Sequence, residues 1–269
     1  MDFLEMIGQP FMQRALLAGM VLGGLLAGLG IFVTLRKMAF FGDGIAHSSL
    51  AGISLAILLG WSPLPVALAW ALMVALVIWW LEKSVRLPSD TLIGIFFTAS
   101  MAVGILVISR TEGYQPEIIS YLFGNILSVG KGDLAVILTL SAAIAAWLAI
   151  SFRRLTFMSL TEESAAVAGI RIRLHSALLY VALALTTVLG VKAFGIILVS
   201  ALLILPAATS RLLTRNFRSY IVVSLILSQI TVLTGLALSC RMDLPSGAAI
   251  VAVGTALFFL GAMAKKLWK

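Results

Sequence analysis

The sequence predicts an all-α, polytopic membrane protein of eight or nine crossing helices, and two observations lead there. Of its 269 residues 61% are apolar and only 11% charged, with a mean hydropathy of +1.12, whereas soluble domains average about 45–50% apolar and about 25% charged residues. A water-soluble fold of this length would have to hide more apolar surface than it could bury. The second observation is arrangement. Apolar runs of about 20 residues, enough to cross a hydrocarbon core of about 30 Å, recur from end to end. No polar run exceeds a short loop, so residues 1–269 read as one transmembrane domain without a soluble one attached.

In chain order the expected spans are roughly 14–34, 38–60, 64–81, 90–109, 133–151, 174–191, 194–213, 219–239 and 246–264. MDFLEMIGQPFMQR, which precedes the first, carries acids where a cleaved leader would carry bases. In the first span Gly19 and Gly23, then Gly24 and Gly28, repeat at the GxxxG spacing that lets neighbouring helices approach closely. The sixth and seventh spans are separated by little more than Gly190 to Gly195, so one of them could be broken or re-entrant. Pro206, in LILPAAT, removes a backbone donor and can kink its span. Cys240 has no second cysteine to pair with and reads as a small apolar residue near a helix end.

The net charge of +8 does not point to nucleic acid, because the basic residues sit at the edges of apolar runs and not on one face. They orient the spans instead. With the N-terminus outside and nine crossings, 14 of the 19 Lys and Arg residues fall inside, against Arg14, Arg110, Lys131, Lys192 and Arg241 outside. That arrangement also puts the C-terminus in the cytoplasm.

Two polar stretches interrupt the pattern. TEGYQPEIISYLFGNILSVGKGD (111–133) is amphipathic, with Tyr114, Tyr121 and Phe123, and reads as an outer interfacial helix, a gate or a docking surface. FRRLTFMSLTEESAAVAGIRIR (152–173) lies in the cytoplasm. There Thr161, Glu162 and Glu163 suit the start of a helix, and Gly169 suits its exit. Such a short helix could lie on anionic headgroups or serve as a peg for a soluble partner.

The most informative residues are in FFGDGIAHSSLAG (40–52). Asp43 and His47, four apart, share one helix face in a segment otherwise fit for lipid. If Lys37 marks the inner boundary and the chain is helical onward, Asp43 lies about 9 Å and His47 about 15 Å beyond it. An aspartate at the centre of a span costs about 2.5–3.5 kcal/mol. Asp43 could be an N-cap, the two could neutralise one another, or both could hold a passing divalent cation. Carboxylate with imidazole suits zinc, manganese or ferrous iron. Two protein ligands are too few for a structural zinc site but suit a path that must release its ion. The remaining ligands could be waters, Ser48 and Ser49, or the same pair from a second copy. His175, in RIRLH, reads as interfacial.

No energy source is evident. The nearest approach to a phosphate loop, Gly124 to Gly132, has one residue too many between its glycines and Gly132 where Ser or Thr should stand. Asp90, Asp133 and Asp243 fall at span ends, where coupling to an ion gradient is not expected. An external motor pushing on the cytoplasmic helix explains the pattern better, with a gradient-driven metal carrier as the rival.

LRKMAFFGDGIAHSSLAG (35–52) resembles the second-helix signature of the ABC-3 family, the permeases of bacterial ABC importers for zinc, manganese and iron. The likeness continues in order through DTLIGIFFTASMAVGILVIS (90–109), ISYLFGNILSV (119–129), MSLTEESAAVAGIRI (158–172) and VKAFGIILVSALLILPAATSRLL (191–213). The resemblance implies a type II-like importer permease in the cytoplasmic membrane, with no ATPase motifs of its own. It implies a homodimer, two cytoplasmic ATPase subunits and an extracytoplasmic metal-binding protein as partners, and metal as cargo with no permanently bound cofactor. Asp43 and His47 match the metal-contacting positions. Glu162, Glu163, Ala165, Ala166, Gly169 and Ile170 match the element that docks on the ATPase, within a coupling segment of about 155–172. Manganese-type members tend to read SHAVLPG where this chain has AHSSLAG, and AHSSLAG with ILPAATSRLL is more similar to the zinc-importing branch.

Overall fold

The computed structural model describes residues 8–85, 87–110 and 126–267. The long helices among them are α1 (Pro10–Leu35), α2 (Phe41–Leu59), α3 (Pro63–Val85), α4 (Ser89–Ile108), α5 (Lys131–Leu160), α7 (Ile172–Phe194), α8 (Ile196–Leu213), α9 (Phe217–Met242) and α10 (Ser246–Leu267). A short helix, α6 (Glu162–Val167), and a single 3-10 turn at Ile126–Ser128 complete the set. All 9 long helices are long and apolar enough to cross a membrane. Of the expected outer stretch (111–133), residues 111–125, with Tyr114, Tyr121 and Phe123, lie outside the described residues, and the rest forms the 3-10 turn and the first residues of α5.

The sixth and seventh spans are two separate helices, neither of them too short to cross. Between them Gly195 takes φ 79°, ψ 169°, a region open almost only to glycine. One residue therefore reverses the chain. Pro206 lies inside α8, which runs on past it. The fifth span is longer than expected. Nothing between Ser151 and Leu160 breaks a helix, so α5 continues through FRRLTFMSL and projects about 14 Å past the expected boundary, at about 1.5 Å per residue. Its C-cap, Thr161, is also the N-cap of α6.

α1, α2 and α7 form the middle of the bundle and are mostly buried, whereas α3, α4, α5 and α10 show most of their surface to the outside. One apolar cluster draws on all nine long helices and includes Leu22, Leu29, Phe41, Ile45, Ile93, Leu183, Leu203 and Ile250. Small residues set the spacing. Gly19 and Gly23 face Val232 of α9, while Gly24 and Gly28 face Gln229 and Leu148. The GxxxG pairs thus bring in two neighbours, α9 and α5. Ser228 Oγ donates to the Gly23 carbonyl at 2.8 Å and Gln229 Nε2 to the Met20 carbonyl at 3.0 Å, contacts open to polar side chains only where backbones lie close.

The two ends of the bundle carry different polar groups. At one, Arg14 Nε donates to the Val129 carbonyl at 2.9 Å, and Lys192 pairs with Asp133, whose carboxylate also accepts the Gly130 N–H at the start of α5. At the other lie Arg36, Lys83, Glu162 and His175. His175, expected at an interface, is buried at the start of α7, its Nδ1 3.0 Å from the Arg171 carbonyl and its Nε2 3.5 Å from Arg154.

The closest approach is at Gly30, where a Cβ would stand 1.9 Å from the Leu203 carbonyl oxygen of α8. Gly30→Ala must push α1 and α8 apart and is expected to cost about 1–3 kcal/mol, the usual range for overpacking. The check is thermal unfolding in detergent, with Gly132→Ala, which meets open space, as the neutral comparison.

Candidate functional site

α2 is surrounded by α3, α4, α7 and α8. It can sit that deep because its glycines lie against different neighbours. A Cβ on Gly42 would meet Leu203 and Ser200, one on Gly44 would stand 2.3 Å from Ile93, and one on Gly52 would stand 2.8 Å from Trp70. A larger residue at any of the three would make a neighbour shift, and at Gly52 the neighbours include the backbone of α3.

Asp43 is not the N-cap. That position belongs to Phe40, and no side chain caps the helix. The reason is upstream. α1 ends at Leu35, and the chain turns through Arg36 and Lys37, the latter at φ 58°. Residues 37–40 are therefore not helical, and the expected depths of 9 and 15 Å do not hold. Asp43 lies in the first turn of α2, where the positive end of the helix dipole favours a carboxylate. His47 is the seventh residue of 19, about 9 Å from the helix start at 1.5 Å per residue.

Nor do the two side chains neutralise one another. The Asp43 carboxylate makes no hydrogen bond or ion pair among the described residues. His47 Nδ1 is 3.0 Å from the backbone carbonyl of Asp43. A carbonyl only accepts, so in the neutral ring Nδ1 carries the proton and Nε2 presents its lone pair, the arrangement common in metal-ligating histidines. The ring is fixed from the other side by Phe97 of α4, edge-on at 4.9 Å. Both residues are partly exposed, so a carboxylate and an imidazole nitrogen remain available on one face.

The structure does not bring Ser48 and Ser49 to that face. Both are fully buried, and each hydroxyl donates within α2, to Ile45 at 2.9 Å and to Ala46 at 2.6 Å. No group of three or more His, Cys, Asp or Glu residues lies together among the described residues. One copy of the chain thus presents two side chains here, a carboxylate and an imidazole.

The second candidate element is α6. Thr161 is its N-cap without a side-chain cap bond. Its exit is the one expected: Gly169 takes φ 74°, its N–H donates to Ala166, and Ile170 N–H donates to Ala165, the paired bonds of a Schellman ending. Glu163, Ala166 and Gly169 are exposed and Ile170 is half-buried. Ala165 faces inward and is fully buried. Glu162 is paired within the chain, to Arg36 at 3.1 Å and Lys83 at 3.2 Å.

One polar group escaped the sequence reading. Glu82, in the last turns of α3, accepts from Tyr180 Oη at 2.7 Å and from Ser89 Oγ at 2.8 Å, joining α3, α7 and α4. Its signal was an acid just before the Lys83 boundary and a lone tyrosine inside an apolar span. Phe97 offered no such signal, since a phenylalanine in a spanning run is ordinary.

A sequence profile described as "ABC 3 transport family" matches residues 8–265. The chain belongs to the ABC 3 transport family. It is 34% identical over 251 residues to the high-affinity zinc uptake system membrane protein ZnuB of Haemophilus influenzae, covering 91% of this chain and 94% of that one. It is 33% identical over 258 residues to the manganese transport system membrane protein MntC of Halalkalibacterium halodurans, covering 96% and 88%. Its fold is similar to a chain in the structure of PsaBC from Streptococcus pneumoniae in complex with Fab, with a TM-score of 0.83, 30% identity and coverage of 96% and 94%. The ABC 3 assignment bears out the all-α permease fold expected from residues 35–52 and the segments after them. The named metals of its relatives differ.

The hydrogen bond at His47 has a direct readout. With only two histidines in this ABC 3 chain, ¹⁵N spectra of the imidazoles can be assigned with His175→Gln. His47 is expected as the Nδ1–H tautomer when neutral, and an Nε2–H signal would contradict the site geometry.

Proposed function

We propose that this chain is the permease subunit of an ATP-driven importer of divalent metal, with zinc the favoured cargo. The observation that carries the proposal is the unpartnered carboxylate of Asp43 on the same partly exposed face as the Nε2 of His47, in a helix whose other residues from Phe41 to Ser54 are buried. A carboxylate left without a partner in a membrane-spanning helix is costly unless a cation visits it. Oxygen and nitrogen donors together suit zinc and manganese better than calcium or magnesium. Two donors hold an ion loosely enough to release it, and a second copy of the chain or water would supply the rest.

The wider reading follows from that site. The chain works as a homodimer in the bacterial cytoplasmic membrane, its N-terminus outside and its C-terminus in the cytoplasm. The end of the bundle with Arg36, Lys83 and Arg154 then lies inside, as the excess of basic residues there favours. Two ATPase subunits engage the exposed side of α6, and an extracytoplasmic protein delivers the metal. The segment AHSSLAG favours zinc. Manganese is the second reading, supported by relatives of similar identity that are named for it.

Radiometal uptake into vesicles carrying the permease with its ATPase subunit tests this. Zinc uptake is expected to require ATP and to exceed manganese uptake. Both His47→Ala and Asp43→Ala are expected to lower it about 10–100-fold, a loss comparable to that from disturbing an outer-shell metal partner. Undiminished zinc uptake by both variants would refute the site. Uptake that persists without the ATPase and collapses with the proton gradient would point to a secondary carrier.

A further inference from the structure

We propose that Glu162 is a transmission residue, which ties the short helix α6 to the inner end of the metal-carrying helix α2 and so is not part of the ATPase-docking face. The proposal rests on the importer reading above and assigns a different role to one residue of its coupling element.

A single carboxylate here joins three parts of the fold. Glu162 Oε1 accepts from Arg36 Nη2 at 3.1 Å, and Lys83 Nζ lies 3.2 Å from both Glu162 oxygens. Arg36 is itself anchored, its side chain only 10% exposed and its Nη1 donating to Ser176 Oγ of α7 at 3.2 Å. From Arg36 the chain turns through left-handed Lys37 and enters α2 at Phe41, two residues before Asp43. Lys83 belongs to the last turn of α3, which packs along α2. A displacement of α6 therefore reaches both flanks of the inner end of α2 through one side chain.

The rest of α6 fits a division of labour. Ala165 is buried against the fold, which seats the helix. Glu163 makes no ion pair among the described residues and is exposed, and Val167 is 91% exposed with Leu160 just before the helix at 67%. A partner would meet that mixed apolar and acidic surface. If Glu162 docked on the partner instead, its carboxylate would first have to leave two cations. An exposed ion pair does little for stability by itself. A shared carboxylate linking a nearly buried arginine to a mobile partner's footing can still carry coupling between sites, which typically amounts to about 5–150-fold.

The test uses the permease, its ATPase subunit and its metal-binding protein in proteoliposomes, measuring zinc uptake and phosphate release in the same vesicles. Glu162→Gln is expected to retain the ATPase subunit through purification and to go on hydrolysing ATP, while zinc moved per ATP falls at least about fivefold. Glu162→Asp, which keeps the carboxylate between Arg36 and Lys83, is expected to retain most of that ratio, which a role in folding alone would not explain. Loss of the ATPase subunit from Glu162→Gln would make Glu162 a docking residue and overturn the proposal. An unchanged ratio in Glu162→Gln, or a Glu162→Asp variant no better than Glu162→Gln, would overturn it as well. Absence of ATP-driven uptake in the wild-type assembly would instead remove the importer reading beneath it.

Discussion

α2 can carry a carboxylate and an imidazole only because four other helices keep lipid away from it, and they come close enough only where its own side chains are absent. Gly42, Gly44 and Gly52 meet α8, α4 and α3 at distances that a Cβ would not allow. Everything else about the site depends on that spacing. It places Phe97 against the His47 ring, it presses Ser48 and Ser49 into the interior where their hydroxyls turn back on the helix, and it leaves one strip with a carboxylate and an imidazole. Lipid would not tolerate such a strip, so the glycines and the polar pair belong to a single design.

The same economy of contacts ties the site to the end of the bundle that carries Arg36 and Glu162. α1 and α2 are joined by a turn of a few residues, and that turn holds Arg36. Arg36 reaches Glu162 and Ser176, while Glu82 joins α3 to α7 and α4 through Tyr180 and Ser89. Ion-paired side chains thus cluster where the long helices end, and the exposed surfaces of α4, α5 and α10 carry many large apolar side chains. The unexpected length of α5 has a consequence here: it carries α6 clear of the apolar region, in a position to be touched by something outside the membrane.

The nine spans, the paired glycines of α1 and the helix exit at Gly169 were all legible in the sequence. Each depends on a local property, such as apolar length, small-residue spacing or a residue able to take positive φ. Boundaries were less legible. The turn after Leu35 contains no proline or glycine, so Asp43 and His47 were expected deeper along a continuous helix than they lie. The extension of α5 was hidden because FRRLTFMSL is too polar for lipid, although nothing in it prevents a helix.

By itself, then, the sequence determined the solvent, the order of the spans and their number to within one, and it singled out Asp43 and His47 as a polar pair in an apolar span, because composition and period act along the chain. Only the tertiary structure decided that Asp43 is uncapped and unpaired, that the serines beside it face inward, and that Glu162 is bound to Arg36 and Lys83. Those outcomes join residues far apart in the chain, or depend on which neighbour a glycine admits, and no stretch of residues read alone contains that information.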